Sequence, residues 1–217
     1  YSLHPLTVPI EDINLDLVGE ALYLSSLLAE LMRNDAEVLG LASLIALSHA
    51  RSRARLDDRG VFVPLYQHDV SRWDADMVER GLTMLDQAEK LDAPGRFQIE
   101  AAIQAVHAER LKGHQIDWHA IVQLYGALCH FGRSAGALIG LASAVSHAHG
   151  GRAGLNVLDV VSDEIEAVER FQPFWATKAF AHRLEGNMEE AHAAYEKAIS
   201  LTTEIAIRRW LEEQKPK

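Results

Sequence analysis

The stretch Phe171–Thr203 reads FQPFWATKAFAHRLEGNMEEAHAAYEKAISLTT and contains two helical segments that a single glycine separates. A large and a small residue stand four positions apart on the first segment, and small, large and small residues follow at helical spacing on the second. Because small residues let two helices approach closely, the pattern predicts a tight helix pair around an aromatic ring. The positions that would pack the pair together are, in chain order, Trp175, Ala179, Gly186, Ala191, Tyr195 and Ala198.

This helix pair resembles a tetratricopeptide repeat (TPR). It matches the large first-helix residue, the small partner, the glycine turn and the alanine–aromatic–alanine second helix of that repeat. It departs from the repeat at Lys178, where leucine is usual, and at Thr203, where proline is usual. Repeats of this kind stack into arrays whose concave surface binds peptides or partner domains.

The small–large–small spacing of the second helix recurs earlier in the chain. It begins at Gly81, Ala120, Gly154 and Ala191, so that successive starts lie 39, 34 and 37 residues apart. These intervals bracket the TPR period of about 34 residues. The alternative is a non-repetitive helical stack, since any pair of closely packed helices places Ala and Gly at its contacts.

Helical periodicity extends over almost the whole chain. The predicted helices cover residues 16–31, 35–50, 72–91, 95–111, 117–131, 134–148, 151–162, 170–184, 187–200 and 203–214. The first has an apolar stripe typical of an amphipathic helix, formed by Leu17, Ala21, Leu24, Leu28 and Leu31. No linker rich in Gly, Ser or Pro divides the chain, so we expect one domain over residues 16–214.

One segment after the second helix breaks the helical pattern. Asp57–Gly60 has turn chemistry, and Val61–Val63 is short, β-branched and aromatic. This combination predicts one small β-hairpin near residues 53–66. The predicted fold class is therefore all-α, an antiparallel helix-pair array forming a TPR-like superhelix, with this hairpin inserted.

Composition narrows the classes of partner. The 217 residues include 21 Lys and Arg and 31 Asp and Glu, which gives a net charge of −10. This balance argues against direct nucleic-acid binding and against a polybasic membrane-surface protein. The uncharged stretch Ser134–Gly151 is typical of a buried helix rather than of a membrane span. The single cysteine, Cys129, and the absence of a signal segment favour a cytoplasmic location.

The sequence offers no constellation for catalysis. Eleven histidines raise the hypothesis of a metal hydrolase, but His147 and His149 stand two apart and thus on different helix faces. The glycines of Gly150–Gly154 follow a predicted helix rather than a strand, which does not fit a phosphate-binding loop. Cys129 lies in an apolar helix and is typical of a core thiol. We expect no catalytic residue, no metal, no cofactor and no enzymatic activity.

The segment Asp69-Val-Ser-Arg-Trp-Asp74 combines an arginine, a tryptophan and two carboxylates in six residues. Arg and Trp are enriched among the anchors of protein interfaces, so the segment is a candidate partner-binding site. The structural interpretation is that Ser71 caps the next helix, Asp74 faces its dipole and Trp73 is buried under the hairpin. The two interpretations are compatible.

Five stretches, in family order, resemble the C-terminal extension of a subgroup of extracytoplasmic-function (ECF) sigma factors, the bacterial proteins that direct RNA polymerase to promoters. They are Ala36–Leu44, Asp69–Asp74, Gln98–Ala108, Asp117-Trp118 with Leu124-Tyr125, and Arg208–Leu211. The chain departs from the family pattern before the tryptophan. Val70 stands there in place of Arg, and Gln67 and His68 stand in place of Asp and Gln.

The resemblance implies a TPR-like module behind a sigma core, with residues 1–15 as the linker from that missing core. It implies a regulatory domain that contacts the sigma core of the same protein, RNA polymerase or a regulatory protein. By this resemblance the partner-binding residues are Asp69, Ser71, Arg72, Trp73, Asp74, Arg208 and Arg209. The alternative function is a free-standing TPR-like adaptor unrelated to transcription.

Overall fold

The computed structural model describes residues 15–216, which form ten α-helices and no β-strand. The helices are α1 (Leu15–Leu31), α2 (Ala36–Ala50), α3 (Ala75–Glu89), α4 (Arg96–Ala108), α5 (Trp118–Phe131), α6 (Ala135–His149), α7 (Gly151–Glu164), α8 (Gln172–Leu184), α9 (Met188–Leu201) and α10 (Ile205–Gln214). Their bounds lie within three residues of the predicted helices, so the all-helical class is confirmed. The predicted linker over residues 1–15 lies almost entirely outside the described residues.

Contacts within the chain divide the described residues into two compact units. The N-terminal unit contains residues 15–56 and 63–117, and therefore helices α1 to α4. The C-terminal unit contains residues 57–62 and 118–216, and therefore helices α5 to α10.

Helix α2 is the centre of the N-terminal unit and packs against α1, α3 and α4. Nine of its fifteen residues are buried, as expected for a helix that is apolar on nearly every side. Small residues set its close approach to α3. The Ser43 hydroxyl donates to the Gly81 carbonyl at 2.7 Å, and a Cβ at Gly81 would lie 2.7 Å from Leu47 Cγ.

A carboxylate from α2 caps the N-terminus of α4. Both Glu37 oxygens accept from the Phe97 N–H at 3.0 Å, and one accepts from the Gln98 N–H at 3.2 Å. A Cβ at Gly95 would lie 2.2 Å from Glu37 Cδ, so the approach requires glycine. The contact satisfies free N–H groups and places a negative charge at the positive end of the helix dipole.

The helices of the C-terminal unit pack in chain order, each against the next. The most extensive contacts join α6 to α7 and α8 to α9, so consecutive helices pack as pairs. The core includes Leu138, Leu158 and Phe174, all at most 2% exposed. A Cβ at Gly154 would lie 1.8 Å from Ser146 Oγ, so the α6–α7 contact leaves no room for a larger residue there.

The β-hairpin predicted near residues 53–66 is not formed. Short 3-10 turns occupy Ser52–Ala54 and Leu65–Gln67 instead. Between them, the Asp57 carboxylate accepts from the backbone N–H groups of Arg59 at 2.9 Å and Val61 at 2.8 Å. Two backbone bonds of hairpin type remain, from the Asp57 N–H to the Val61 carbonyl at 2.9 Å and from the Val63 N–H to the Arg55 carbonyl at 2.8 Å. Because the Asp57 side chain takes the Val61 N–H, the pairing does not extend into a strand.

Residues 57–62, called the 57–62 loop below, pack onto α10. The Phe62 N–H donates to the Ala206 carbonyl at 3.2 Å, and the Phe62 ring meets the Trp210 ring edge-on at 5.7 Å. Arg59 Nη1 lies 3.0 Å from Glu213 Oε1. Phe62, one of the apolar residues that predicted a strand, is therefore buried against a helix.

Candidate functional site

Residues 69–74, the segment that the sequence marks for partner binding, form a 3-10 turn followed by a helix start. The Asp69 carboxylate accepts from the Ser71 N–H at 3.0 Å and from the Ser71 hydroxyl at 2.7 Å. The Asp74 carboxylate accepts from the Met77 N–H at 2.9 Å and caps α3. The prediction that Ser71 is the cap is therefore wrong, because Asp69 holds its hydroxyl in the preceding turn.

Trp73 is a core residue of the N-terminal unit and only 8% exposed. It belongs to an apolar cluster with Leu47 and Ala50 of α2 and Val78 of α3. The Asp74 N–H that follows it donates to the Ala50 carbonyl at 2.8 Å, which ties the segment to the end of α2. Burial of so large a ring fixes the position of its neighbours in the segment.

Arg110 contacts the Trp73 ring. Its guanidinium carbon lies 5.7 Å from the ring centroid, within the range of a cation–π contact. The same guanidinium donates to the Leu65 carbonyl at 2.9 Å and to the His68 carbonyl at 2.7 Å. Arg110, which follows α4, thus connects the Trp73 indole to the backbone that precedes residues 69–74.

The polar residues of the segment lie on the surface. Asp69, Ser71, Arg72 and Asp74 are exposed, and Arg72 Nη1 donates to the Leu56 carbonyl at 3.1 Å. The hydrogen bonds from the Ser71 hydroxyl and backbone N–H hold the pKa of Asp69 below its usual value. The buried Trp73 side chain therefore supports a surface turn that exposes the Asp69 carboxylate and the Arg72 guanidinium.

Two histidines are held neutral by burial. Burial is the main cause that lowers the pKa of His68 to about 4, and the nearby charge of Arg51 lowers it further. The His68 Nε2–H donates to the Val63 carbonyl at 3.0 Å. In the C-terminal unit, burial alone lowers the pKa of His147 to about 4. The His147 ring stacks on Trp118 with centroids 3.9 Å apart.

These pKa values predict a loss of stability on mild acidification. Unfolded histidine has a pKa near ~6.5, so between pH 7 and 5 the unfolded chain binds protons that folded His68 and His147 do not. Stability that is present at pH 7 is therefore lost as the pH falls through that window. We expect the free energy of unfolding to drop by roughly 1 kcal/mol per histidine by pH 5, after allowing for partial solvent screening.

Urea unfolding at pH 7 and pH 5 measures this effect. The control is the double variant His68→Gln, His147→Gln, in which the difference between the two pH values should shrink. An equal difference in both proteins would show that these histidines do not cause the pH dependence.

The structure places the two groups of predicted partner-binding residues in different units. Residues 69–74 belong to the N-terminal unit, whereas Arg208 and Arg209 lie on α10 of the C-terminal unit. Both arginines are exposed, and Arg208 Nη2 donates to the Thr202 carbonyl at 2.8 Å. Arg208 therefore binds the residue that caps the C-terminus of α9, while the Arg209 side chain is exposed.

The residues predicted to pack the α8–α9 pair differ in burial. Four of them are at most 1% exposed, namely Ala179, Ala191, Tyr195 and Ala198. Trp175 is half-buried, and its indole N–H donates to the Glu169 carbonyl at 2.7 Å. Gly186 has a φ of +78°, the left-handed conformation in which many helices end. Glycine adopts this conformation without steric strain.

A groove that the sequence analysis missed runs between α5, α6 and α7. Its volume is about 410 Å³, and its apolar lining includes Leu138, Leu141 and Val160. Cys129 also lines it, and burial raises the pKa of that thiol, as expected for an unreactive cysteine. The lining residues come from three helices, so no local sequence pattern marks the groove.

Two further features bear on the class of site. Among residues 15–216, no group of three or more His, Cys, Asp or Glu side chains is arranged to hold a metal ion. None of the described helices has both the length and the apolar character to cross a membrane.

Comparison with known proteins links the chain to uncharacterized relatives. A curated protein of Rhizobium meliloti (strain 1021), described as uncharacterized, is 34% identical over 193 residues. The alignment covers 89% of this chain and 45% of that protein, so the chain spans about half the length of this relative. No solved structure matches the chain significantly. Residues 7–89, which include α1 to α3 and the 69–74 segment, match a family described as a family of unknown function (DUF6596).

Proposed function

We propose that the chain is a regulatory protein-interaction domain of a bacterial ECF sigma factor, where a TPR-like array of helix pairs modulates transcription initiation by RNA polymerase. The pairing of α6 with α7 and of α8 with α9 supports a TPR-like array. The five stretches that resemble the sigma-factor extension support the connection to transcription. A cytoplasmic location and the absence of catalysis belong to the same proposal.

The observation that carries the proposal is the geometry of residues 69–74. Trp73 is buried and held by Arg110, while Asp69 and Arg72 are exposed on a turn that Ser71 braces. A rigid turn loses little conformational entropy when a partner binds, which favours recognition by its charged groups. Such an arrangement suits the docking of a protein surface that carries complementary charges.

The proposed partners are the sigma core of the same longer polypeptide, RNA polymerase, or a regulatory protein. A relative of which the chain spans 45% supports the idea of a longer polypeptide. The net charge of −10 disfavours direct contact with promoter DNA. In this proposal the domain acts through protein contacts, and the sigma core alone binds DNA.

Arg72→Ala tests the proposal. The side chain is exposed, so we expect the free energy of unfolding to stay within about 1 kcal/mol of the wild type. We expect affinity for the sigma core to fall about tenfold, because a charged contact at a protein interface is lost. Binding of the chain to the sigma core, and transcription by reconstituted RNA polymerase with the longer protein, are the two measurements.

The matched control is Arg80→Ala, which removes another exposed arginine of the same unit, on α3. It should leave binding and transcription unchanged. If Arg72→Ala left both intact, the 69–74 segment would not be the contact site. An endogenous polypeptide of about 24.1 kDa, rather than a far larger one, would instead favour a free-standing TPR-like adaptor.

A further inference from the structure

Two exposed histidines meet where α5 packs against α6. His119 is the second residue of α5, and His149 is the last residue of α6. Their rings lie edge to face, with the ring centroids 4.9 Å apart and an angle of 67° between the ring planes. Both residues are exposed, and both belong to the C-terminal unit. The two imidazoles are therefore neighbours in space, although they stand thirty positions apart in the chain.

A second ring contact holds the helices in register at this point. Trp118, directly before His119, stacks on His147 with centroids 3.9 Å apart and planes within 6° of parallel. The His147 ring also meets the Phe180 ring of α8, with centroids 4.6 Å apart. The start of α5 is thus fixed against the last turn of α6. Because the helices already hold the two exposed rings together, a ligand that uses both rings pays little for bringing them into place.

The chemistry of two imidazoles indicates the class of ligand. Neutral imidazole nitrogens are good ligands for divalent transition metals such as Zn²⁺, Cu²⁺ and Ni²⁺. Mg²⁺ and Ca²⁺ are harder ions and prefer oxygen ligands. A pair made of histidines alone therefore favours the transition metals.

The separation of the His119 and His149 rings fits one shared ion. A metal ion about 2.0–2.1 Å from an imidazole nitrogen lies about 3.2 Å from the centroid of that ring. For ligand–metal–ligand angles of about 90–110°, two such centroids lie about 4.5–5.2 Å apart. The observed 4.9 Å falls within this range. Because the terminal torsion of histidine is broad and both residues are exposed, each ring can turn a nitrogen toward the ion without moving its helix.

We propose that His119 and His149 form a two-histidine site for a divalent transition-metal ion, with Zn²⁺ as the expected occupant, that joins the start of α5 to the end of α6. Within residues 15–216, no group of three or more His, Cys, Asp or Glu side chains is arranged to hold a metal ion, so water completes the coordination. The inference goes beyond the proposed function, because it involves neither the 69–74 segment nor a partner in transcription.

Local spacing gave no indication of this site. The sequence predicted no metal because His147 and His149 stand on different faces of one helix. In the structure those two faces have different neighbours, since His147 meets Trp118 and Phe180 while His149 meets His119. The second ligand therefore comes from another helix, where no motif in the sequence connects the two positions.

Calorimetric titration of the 217-residue chain with Zn²⁺, on protein without a histidine tag, tests the proposal. We expect His119→Gln and His149→Gln each to weaken binding about 100-fold, because two linked ligands are reduced to one. The double variant should bind no more weakly than either single variant, since one ion uses both rings. Zn²⁺ should also raise the midpoint of thermal unfolding of the wild type and not of the variants.

Two controls make the test specific. His130→Gln removes another exposed histidine of α5, whose Nδ1 lies 2.9 Å from the Gly126 carbonyl oxygen, and should leave Zn²⁺ binding unchanged. Mg²⁺ in place of Zn²⁺ should neither bind nor stabilise the chain. If the single variants bound Zn²⁺ as the wild type does, or if the wild type bound none, the two rings would form an aromatic contact only. Loss of one of two bound ions in each single variant, with the affinity for the other unchanged, would show separate sites and would also overturn the proposal.

Discussion

Trp73→Ala is expected to lower the free energy of unfolding by about 3–5 kcal/mol, the usual cost of removing a buried aromatic side chain. The ring is 8% exposed and packs with Leu47, Ala50 and Val78. Its loss would leave a cavity between α2 and α3 and remove the ring beneath the Arg110 guanidinium. The expected effect is therefore structural and would reach the whole 69–74 segment.

Urea unfolding followed by far-UV circular dichroism measures this change. Trp73→Phe is the conservative control, since it keeps a ring in the core and should recover part of the lost stability. Arg72→Ala is the positional control, because it alters the neighbouring residue at the surface. A Trp73→Ala protein as stable as the wild type would mean that the indole does not anchor the segment.

Tyr195→Ala is expected to have an effect of the same size in the C-terminal unit, about 3–5 kcal/mol. The side chain is 1% exposed, and Ala191 and Ala198, one turn away on either side, are fully buried. With small residues on both sides, no neighbouring side chain is large enough to fill the space that the ring leaves. Helix α9 would then lose a large, fully buried side chain.

Thermal unfolding of the variant measures this loss. Tyr23→Ala is a matched control, since Tyr23 is 65% exposed on α1 and its removal leaves no cavity. Tyr195→Phe separates the ring from its hydroxyl and should retain most of the stability. If Tyr195→Ala and Tyr23→Ala were equally mild, the aromatic ring would not determine the packing of the pair.

Local sequence patterns predicted the helices well, because three-and-four periodicity and glycine breaks are properties of neighbouring residues. Gly186 marks the end of α8 by its left-handed φ of +78°. The small residues Gly81 and Gly154 were recognised as contact positions, and each would clash with another helix if it carried a Cβ. These features depend on spacing along one or two helices.

What the sequence could not predict depends on partners that are distant in the chain. The Glu37 carboxylate caps α4 across 60 residues, and nothing near Phe97 indicates such a cap. The α1 stripe has the pattern of a core-facing helix, yet Leu24 is 52% exposed, because periodicity predicts an apolar face and not what covers it. Val61–Val63 has strand propensity, but the Asp57 carboxylate takes the Val61 N–H and the Phe62 N–H donates to the Ala206 carbonyl of α10, so no strand forms.

The 57–62 loop has a consequence for how the chain can be made and divided. Arg59 and Glu213 are 154 residues apart, so the C-terminal unit is complete only when the last helix of the described chain has been synthesised. Closing so long a segment is entropically costly and slows folding, and it leaves Phe62 without its helix until α10 has been synthesised. A fragment that begins at Trp118 would in turn expose Trp210, so no single cut yields the intact C-terminal unit.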